Sequence, residues 1–568
     1  MPRAALFLIV IVFLSCGPAT APQEAEWVTF RDSFIEAYFE HQPAFAVNAG
    51  RHEFDGRIAD WSPAGLVRTA NFLRTSRDRA LAFDTVSLSE RESFERDYLA
   101  AMADSYLFWF NTSQAPRKNL FFYALWFADN LSPDAYVTRE YGPLTDRLRS
   151  YVVYARNVPR AAAQIRENLE TPLPKTLVQI GRTSFGGLAG YLADDVPKIF
   201  AEVDDDALQK EFTEANSAAV AALRELDEWF AAHEIDANDD FALGPELFSE
   251  MLRRTEQVDV PLDRLREIGE QDMERNLAAL EQACGKLVPG RTIAQCIEQA
   301  RGMKPEGGPV EAARRQLGDL KRFVVENELA SIPGPEEALV DEAPPHMRWN
   351  FAFINTPGPY EKELPSTYYI SPPDPSWPEA QKQDYLPSES DLLFTSAHEV
   401  WPGHFLHLMH ANRAESPFGQ VFVSYAFTEG WAHYAEEMMH EAGLGNDDPA
   451  VHIGQLVNAL LRNARYLSAI GLHTAGMTVE EAERLFIEKA YQDAGTARQQ
   501  AARGTFDPAY VNYTLGKLMV RKLREDWTAT RGGREAWREF HDTVLSYGGP
   551  PVPLLRRAML GPEAGPPL

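Results

Sequence analysis

The chain is poor in cysteine, short of positive charge, sparing in strand-like alternation and without an internal apolar run of membrane-spanning length. Each deficit removes a class of function. Lys and Arg number 55 against 83 Asp and Glu, leaving a net charge of −28 over 568 residues. That balance argues against nucleic acid, whose phosphates need a basic surface, and against broad contact with anionic lipid. No internal stretch reaches the ~18 apolar residues of a membrane span. No Gly-x-Ser-x-Gly elbow is present, which speaks against that type of serine hydrolase. Gly186, Gly187 and Gly190 lack the context of a phosphate loop. Apolar residues nevertheless make up 45% of the chain, enough for a large core or two lobes.

The 3 cysteines divide into one and two. Cys16 follows Met1-Pro2-Arg3 and the short apolar run of residues 4–14, a secretory signal too short to span a bilayer. Ser15-Cys16-Gly17 resembles a bacterial lipobox, in which the cysteine becomes the lipidated first residue. The alternative is an ordinary signal cut after Ala19-Thr20-Ala21. Gly17, rather than Asp, after the anchor favours the outer membrane of a bacterial envelope, with membrane contact only through the lipid. Cys284 and Cys296 flank the turn signal Val288-Pro289-Gly290 with no other Cys or His nearby in sequence. In an oxidising compartment they predict one disulfide closing a small loop, with two separate buried thiols as the alternative.

Helical periodicity dominates, with apolar residues at three- and four-residue steps in 30–39, 66–81, 144–158, 208–230 and 262–287. The clearest strand is 366–371, bounded by Pro365 and Pro372. Breaks fall at 234–240, at the Gly- and Pro-rich 301–309, and at the acidic, proline-rich 331–345. The expected organisation is a mostly α fold, with a signal peptide at 1–16, a helical N-terminal lobe at 17–240 and a helical catalytic region at 241–568.

The chemistry gathers in one window. Of the 13 histidines, six lie between His398 and His440. His398-Glu399-Val400-Trp401-Pro402-Gly403-His404 is followed by His407 and His410, then by Thr428-Glu429-Gly430-Trp431-Ala432-His433-Tyr434-Ala435-Glu436. Imidazole and carboxylate are usual zinc ligands, and three of them with an open position make a catalytic site. In the common His-Glu-x-x-His helix the histidines are four apart on one face. Here they are six apart, which on a regular helix would turn them about 120° from each other. Pro402 and Gly403 between them predict a kink or bulge that brings His404 back. His398, His404 and Glu429 are thus the candidate ligands of one Zn2+, with His404/His407 as the competing pair. Glu399 would be the general base on water at the metal. His433 and Glu436 lie on the Glu429 face, placed to orient ligands or contact substrate.

These stretches resemble the bacterial family known as domain of unknown function 885, related to helical zinc peptidases of the gluzincin type. Residues 239–248, 59–63, 465–473 and 513–517 extend the resemblance over nearly the whole mature chain. It implies a mostly α-helical peptidase-like fold, two lobes around a deep cleft, and one zinc on His398, His404 and Glu429. Val400, Phe405 and Ala469 depart from the family pattern; Ala469 bears on any role for the 465–473 segment, including His473.

Amide hydrolysis also needs donors for the developing oxyanion. Tyr510, Tyr513, Lys517, Arg521 and Arg524 recur at three- and four-residue steps and would line a cleft or form a solvated face. Tyr513 is the candidate oxyanion donor, and Arg521 or Arg524 a holder of a substrate carboxylate. Tyr368 or Tyr369, on the expected strand, would meet an extended substrate. The expected function is an exported zinc metallopeptidase acting on peptides. A zinc hydrolase of other amides or esters, and a non-catalytic peptide-binding envelope lipoprotein, are the alternatives.

Overall fold

In the computed structural model, described at residues 21–123, 131–344, 348 and 351–568, helix follows helix from Ala21–His41 to Val552–Leu560, with one small sheet between. Cys16 and the signal segment lie outside the described residues. The long helices follow their apolar stripes. Leu144–Asn168 buries Leu148, Tyr151, Val152, Ala155, Val158, Ala162 and Ile165, and packs on Asp206–Ala232, where Tyr151 meets Phe212. Reciprocal caps start several helices, as with Ser89 and Glu92 or Thr478 and Glu481.

One apolar core runs from Trp27 to Leu555 and crosses residue 240 without a break. The first helix joins the two regions directly: Phe34 and Tyr38 pack their rings on Phe418 and Phe422, just ahead of the Glu429 helix. A second cluster surrounds a Cys284–Cys296 disulfide, with Cα atoms 5.6 Å apart, which ties Leu262–Leu287 to Ile293–Arg301.

The sheet contains the expected strand and two more. β1 (Ala338–Glu342) lies parallel to the central β3 (Ser366–Ile370), and β2 (Ala352–Asn355) is antiparallel to it on the other side. β1 falls inside the segment read as an acidic break. Only Val340 of its five residues is buried, so its pairing, not its pattern, makes it a strand.

Two helices set the geometry of the candidate site. Tyr425–Glu441 and Asn512–Thr528 approach until glycine meets glycine: a Cβ on Gly430 would lie 2.4 Å from Gly516 Cα, and one on Gly516 would lie 1.9 Å from the Ala426 carbonyl oxygen. Gly430→Ala should therefore push the helices apart at a cost of about 1–3 kcal/mol or more, read as a lowered thermal midpoint. An unchanged midpoint would show that the approach is not needed.

Glu256, 2% exposed, anchors the start of the Tyr425–Glu441 helix. It accepts from Ser424 Oγ, the helix-capping side chain, and from Asn512 Nδ2 at 3.2 Å. Burial pushes its carboxyl up to about 7 from an ordinary 4.5. The fold prefers the neutral acid, so its contribution is full at low pH and is lost as pH rises through about 7. Glu256→Gln should flatten the decline of the thermal midpoint between about pH 5 and pH 8. Parallel curves for the two proteins would show that Glu256 does not titrate there.

Candidate metal centre

The histidine helix Glu389–Glu399 ends at Val400, and a separate helix, His404–Ala411, starts after Trp401-Pro402-Gly403. The expected kink is a full break. Gly403 is required at the corner: its N–H donates to the Ala397 carbonyl at 2.9 Å, and a Cβ there would fall 1.7 Å from the His398 oxygen. Trp431 Nε1 donates to the Pro402 carbonyl at 2.9 Å, tying the corner to the next helix. The result brings the His398 and His404 rings to 4.8 Å, nearly perpendicular.

Glu429, one turn into Tyr425–Glu441, completes the group. Its Oε2 lies 3.4 Å from His398 Nε2 and 3.5 Å from His404 Nε2, and all three ligand atoms fall within 4.8 Å of one another. Ligands ~2.1 Å from a common tetrahedral centre are about 3.4 Å apart. Glu429 Oε2 is buried yet accepts no hydrogen bond, and a buried carboxylate oxygen left without a donor is costly. The donor set, the spacing and the orphaned oxygen together fit a divalent ion such as zinc. The side chains are 5%, 14% and 18% exposed, so the second histidine and the glutamate keep a route to solvent.

Behind His398 stands a chain of polar groups. Its Nδ1 bonds Glu436 Oε1 at 2.7 Å, which leaves Nε2 to face Glu429. Arg462 reaches the same Glu436 oxygen at 3.2 Å, Asn458 braces Arg462, and Asp391 accepts from Asn458 at 2.6 Å. Such partners fix the orientation of a ligating imidazole and raise its basicity. Burial works against charge on His398, but Glu429 and Glu436 outweigh it and hold the imidazole at about 9. Burial likewise opposes ionisation of Glu429, which nearby His404 and His398 keep well below the usual carboxylate range.

Glu399 is buried beside this group and accepts the Ile354 N–H of β2 through Oε2 at 3.1 Å. Burial raises its pKa, with His404 and His398 acting the other way. The Tyr513 ring lies parallel to His398 at 6.4 Å. Burial, then the Glu429 charge, raises its pKa and keeps the phenol protonated, the form a donor needs.

The remaining expected residues are placed otherwise. His433 is fully buried against Glu436, its Nδ1 3.6 Å from Oε1, behind the group that orients His398. His407 is turned to the Gly548 carbonyl at 3.0 Å, which removes it as an alternative ligand in this geometry. Tyr368 is fully buried on the central strand against Ser396, and Tyr510 is fully buried on Ser468 at 2.6 Å; neither reaches a substrate. His473 straps the 239–248 segment to the fold, accepting the Leu243 N–H and bonding the Gly504 carbonyl. The Arg521 and Arg524 assignments are corrected: Arg521 pairs with Glu437 at 2.9 Å, and Arg524 with Glu441 at 2.7 Å while stacking on Trp537. Their stripe faces a buried ionic knot in which Lys517 meets Asp272 at 2.7 Å and Glu437 at 3.1 Å, because the helix face read as polar packs on acidic neighbours. Arg462, Arg465, Arg503, Tyr425 and Asp507 border the site without having been expected there. For Arg462 and Arg465 the signal was available: they are the only Lys, Arg, Asp or Glu residues of the helix Pro449–Thr474. Two surface hollows, one of about 380 Å³ near Arg301 and Tyr491 and one near Arg538 and Asp542, border none of the three ligands.

The family model described as bacterial protein of unknown function (DUF885) matches residues 43–559. The chain belongs to that family. Its fold recurs in two solved structures, both described as putative lipoproteins. One, of unknown function and from Shewanella oneidensis, is 24% identical with a TM-score of 0.77, over 94% of this chain and 99% of that one. The other, from Colwellia psychrerythraea, is 17% identical with a TM-score of 0.78, over 94% of this chain and 98% of that one. No curated protein matches the chain.

The geometry predicts that Glu429→Ala and His404→Ala lose tight zinc, while His407→Ala keeps it, measured as metal content after dialysis. Zinc retained by His404→Ala and lost by His407→Ala would move the site to the other pair.

Proposed function

We propose that this DUF885 protein is a zinc-dependent peptidase of the bacterial envelope. The observation that carries the reading is the tetrahedral-edge spacing of His398, His404 and Glu429 around an orphaned carboxylate oxygen, with Glu399 alongside. A bound zinc supplies a Lewis acid that polarises a carbonyl and acidifies water.

The rest is done by the chain's own groups. Glu399 receives the proton of the attacking water and later passes it to the leaving amine; burial raises its pKa and so eases the uptake of that proton. The Ile354 N–H holds one Glu399 oxygen, leaving the other to accept. Glu436, held ionised by Arg462 and His433 against burial, keeps His398 in the orientation a ligand needs. Tyr513 offers its hydroxyl to the developing oxyanion. Ile354 spends its N–H on Glu399 rather than on β3, so this edge of β2 faces the site. An extended peptide could pair there through main-chain bonds.

Envelope placement rests on the signal and lipobox reading of residues 1–17 and on the lipoprotein descriptions of the two similar structures. Among the described residues, no helix is long and apolar enough to cross a membrane. The lipid on Cys16 would be the attachment, and peptides the partner.

Glu399→Gln should keep zinc and lose peptide cleavage by about 10²-fold or more, read by mass spectrometry of a peptide pool beside the unaltered protein. Equal turnover by both would remove Glu399 from the mechanism. Turnover of small amides or esters, with peptides untouched, would select the other hydrolase reading. Peptide binding without turnover would select the binding protein.

A further inference from the structure

One buried cation beside the metal-ligand group forms no direct ion pair with a carboxylate. Arg462 pairs with Glu436 at 3.2 Å, Arg503 with Asp507 at 2.8 Å and Arg524 with Glu441 at 2.7 Å. Arg465, only 8% exposed, donates from Nε to Gln500 Oε1 at 2.8 Å. Among the described residues its two terminal nitrogens find no protein acceptor, no acidic side chain lies within ion-pair distance, and these nitrogens are not sealed from solvent. A guanidinium largely withdrawn from water with no ion-pair partner is unfavourable. Burial pulls the Arg465 pKa down, and the neighbouring Arg503 and Arg462 add repulsion that the Tyr513 and Tyr425 phenols oppose. Asp507 feels Arg465 but is held by Arg503, so the Arg465 guanidinium keeps two nitrogens open to an anion.

Its position says which anion. Arg465 follows Arg462 by one helical turn, and Arg462 touches the Glu436 that orients His398. The Arg465 guanidinium carbon stands 4.7 Å from the Tyr513 ring centre, and that ring stands 6.4 Å from His398. The cation is thus no farther from the first ligand ring than those two spacings laid end to end. An extended peptide advances ~3.3–3.5 Å per residue, so one or two residues and a hydrogen bond span the gap. A planar guanidinium with two free nitrogens matches a carboxylate bidentately.

We infer that Arg465 receives the C-terminal carboxylate of a peptide whose scissile bond lies at His398, His404 and Glu429, so that one or two residues are released from free C-termini. The inference rests on the peptidase reading above and narrows its substrate to peptides with an unblocked C-terminus. Arg465 is a specificity residue here; it takes no part in bond cleavage.

The test uses the zinc-loaded protein and pentapeptide pools with either terminus free or blocked, acetylated at the N-terminus or amidated at the C-terminus. Acetylated free acids should lose one or two C-terminal residues. Amidation should lower kcat/KM by about 10- to 100-fold, chiefly through KM, because the buried cation is then left unanswered. Calorimetry on Glu399→Gln supplies a readout without turnover: free acids should bind more tightly than amides by the same factor. Adding Arg465→Gln should erase that difference and leave zinc content and amide binding unchanged, and Arg465→Lys should restore part of it. The acid–amide comparison on the unaltered protein needs no variant to fold. Cleavage at internal or N-terminal bonds, indifferent to amidation, overturns the inference and leaves the peptidase reading standing. No cleavage and no binding of any pool defeats the peptidase reading, and the inference with it.

Discussion

The approach of two helix backbones, at Gly430 and Gly516, is the constraint on which the candidate centre depends. Tyr425–Glu441 carries Glu429, His433, Glu436 and Glu437 along about two turns, and Asn512–Thr528 carries Tyr513, Lys517 and Arg521 against it. With no side chain at the crossing, the helices come close enough for Lys517 to sink between Asp272 and Glu437, and for Tyr513 to lie parallel to His398. A methyl group at either glycine would strike backbone, which cannot swing aside as a side-chain end can. The motifs Glu-Gly-Trp-Ala and Tyr-Thr-Leu-Gly-Lys are in this sense two halves of one contact.

Charge at the centre is arranged in shells of alternating sign. Glu429 faces the two imidazoles, Glu436 backs the first of them, and Arg462 backs Glu436. Each burial penalty is offset by a neighbour of opposite sign, and hydrogen bonds hold the geometry. Two groups stand outside that bookkeeping. Glu429 Oε2 accepts no hydrogen bond, and Arg465, whose Nε donates to Gln500, has two terminal nitrogens without an acceptor. The first is suited to a metal cation and the second to an anion, and in the reading above one or two peptide residues span the space between them.

Much of the local structure was legible in sequence. Helical periodicity located the long helices, the strand at 366–371 is the centre of the sheet, and Cys284 and Cys296 are joined. His398, His404 and Glu429, which meet in the structure, could be grouped before any coordinate from their residue types and the Pro-Gly break. β1 was hidden in an acidic stretch, since one buried residue in five is no pattern and its strand character comes from β3. Arg521 and Arg524 were misplaced because a row of cations reads the same whether it meets solvent or a buried acid.

What the sequence alone determined is which groups exist and how far apart along the chain they lie: two histidines six residues apart, a glutamate on the next long helix, and glycines where backbones must touch. Only the tertiary structure decided which of them meet. It broke the helix at residues 401–403 so that His404 returns to His398, turned His407 to a carbonyl, and paired every nearby arginine but Arg465. The reason is physical: periodicity encodes the face a residue takes on its own helix, whereas the partner that answers a buried charge comes from another helix, far away in sequence, and is set by packing.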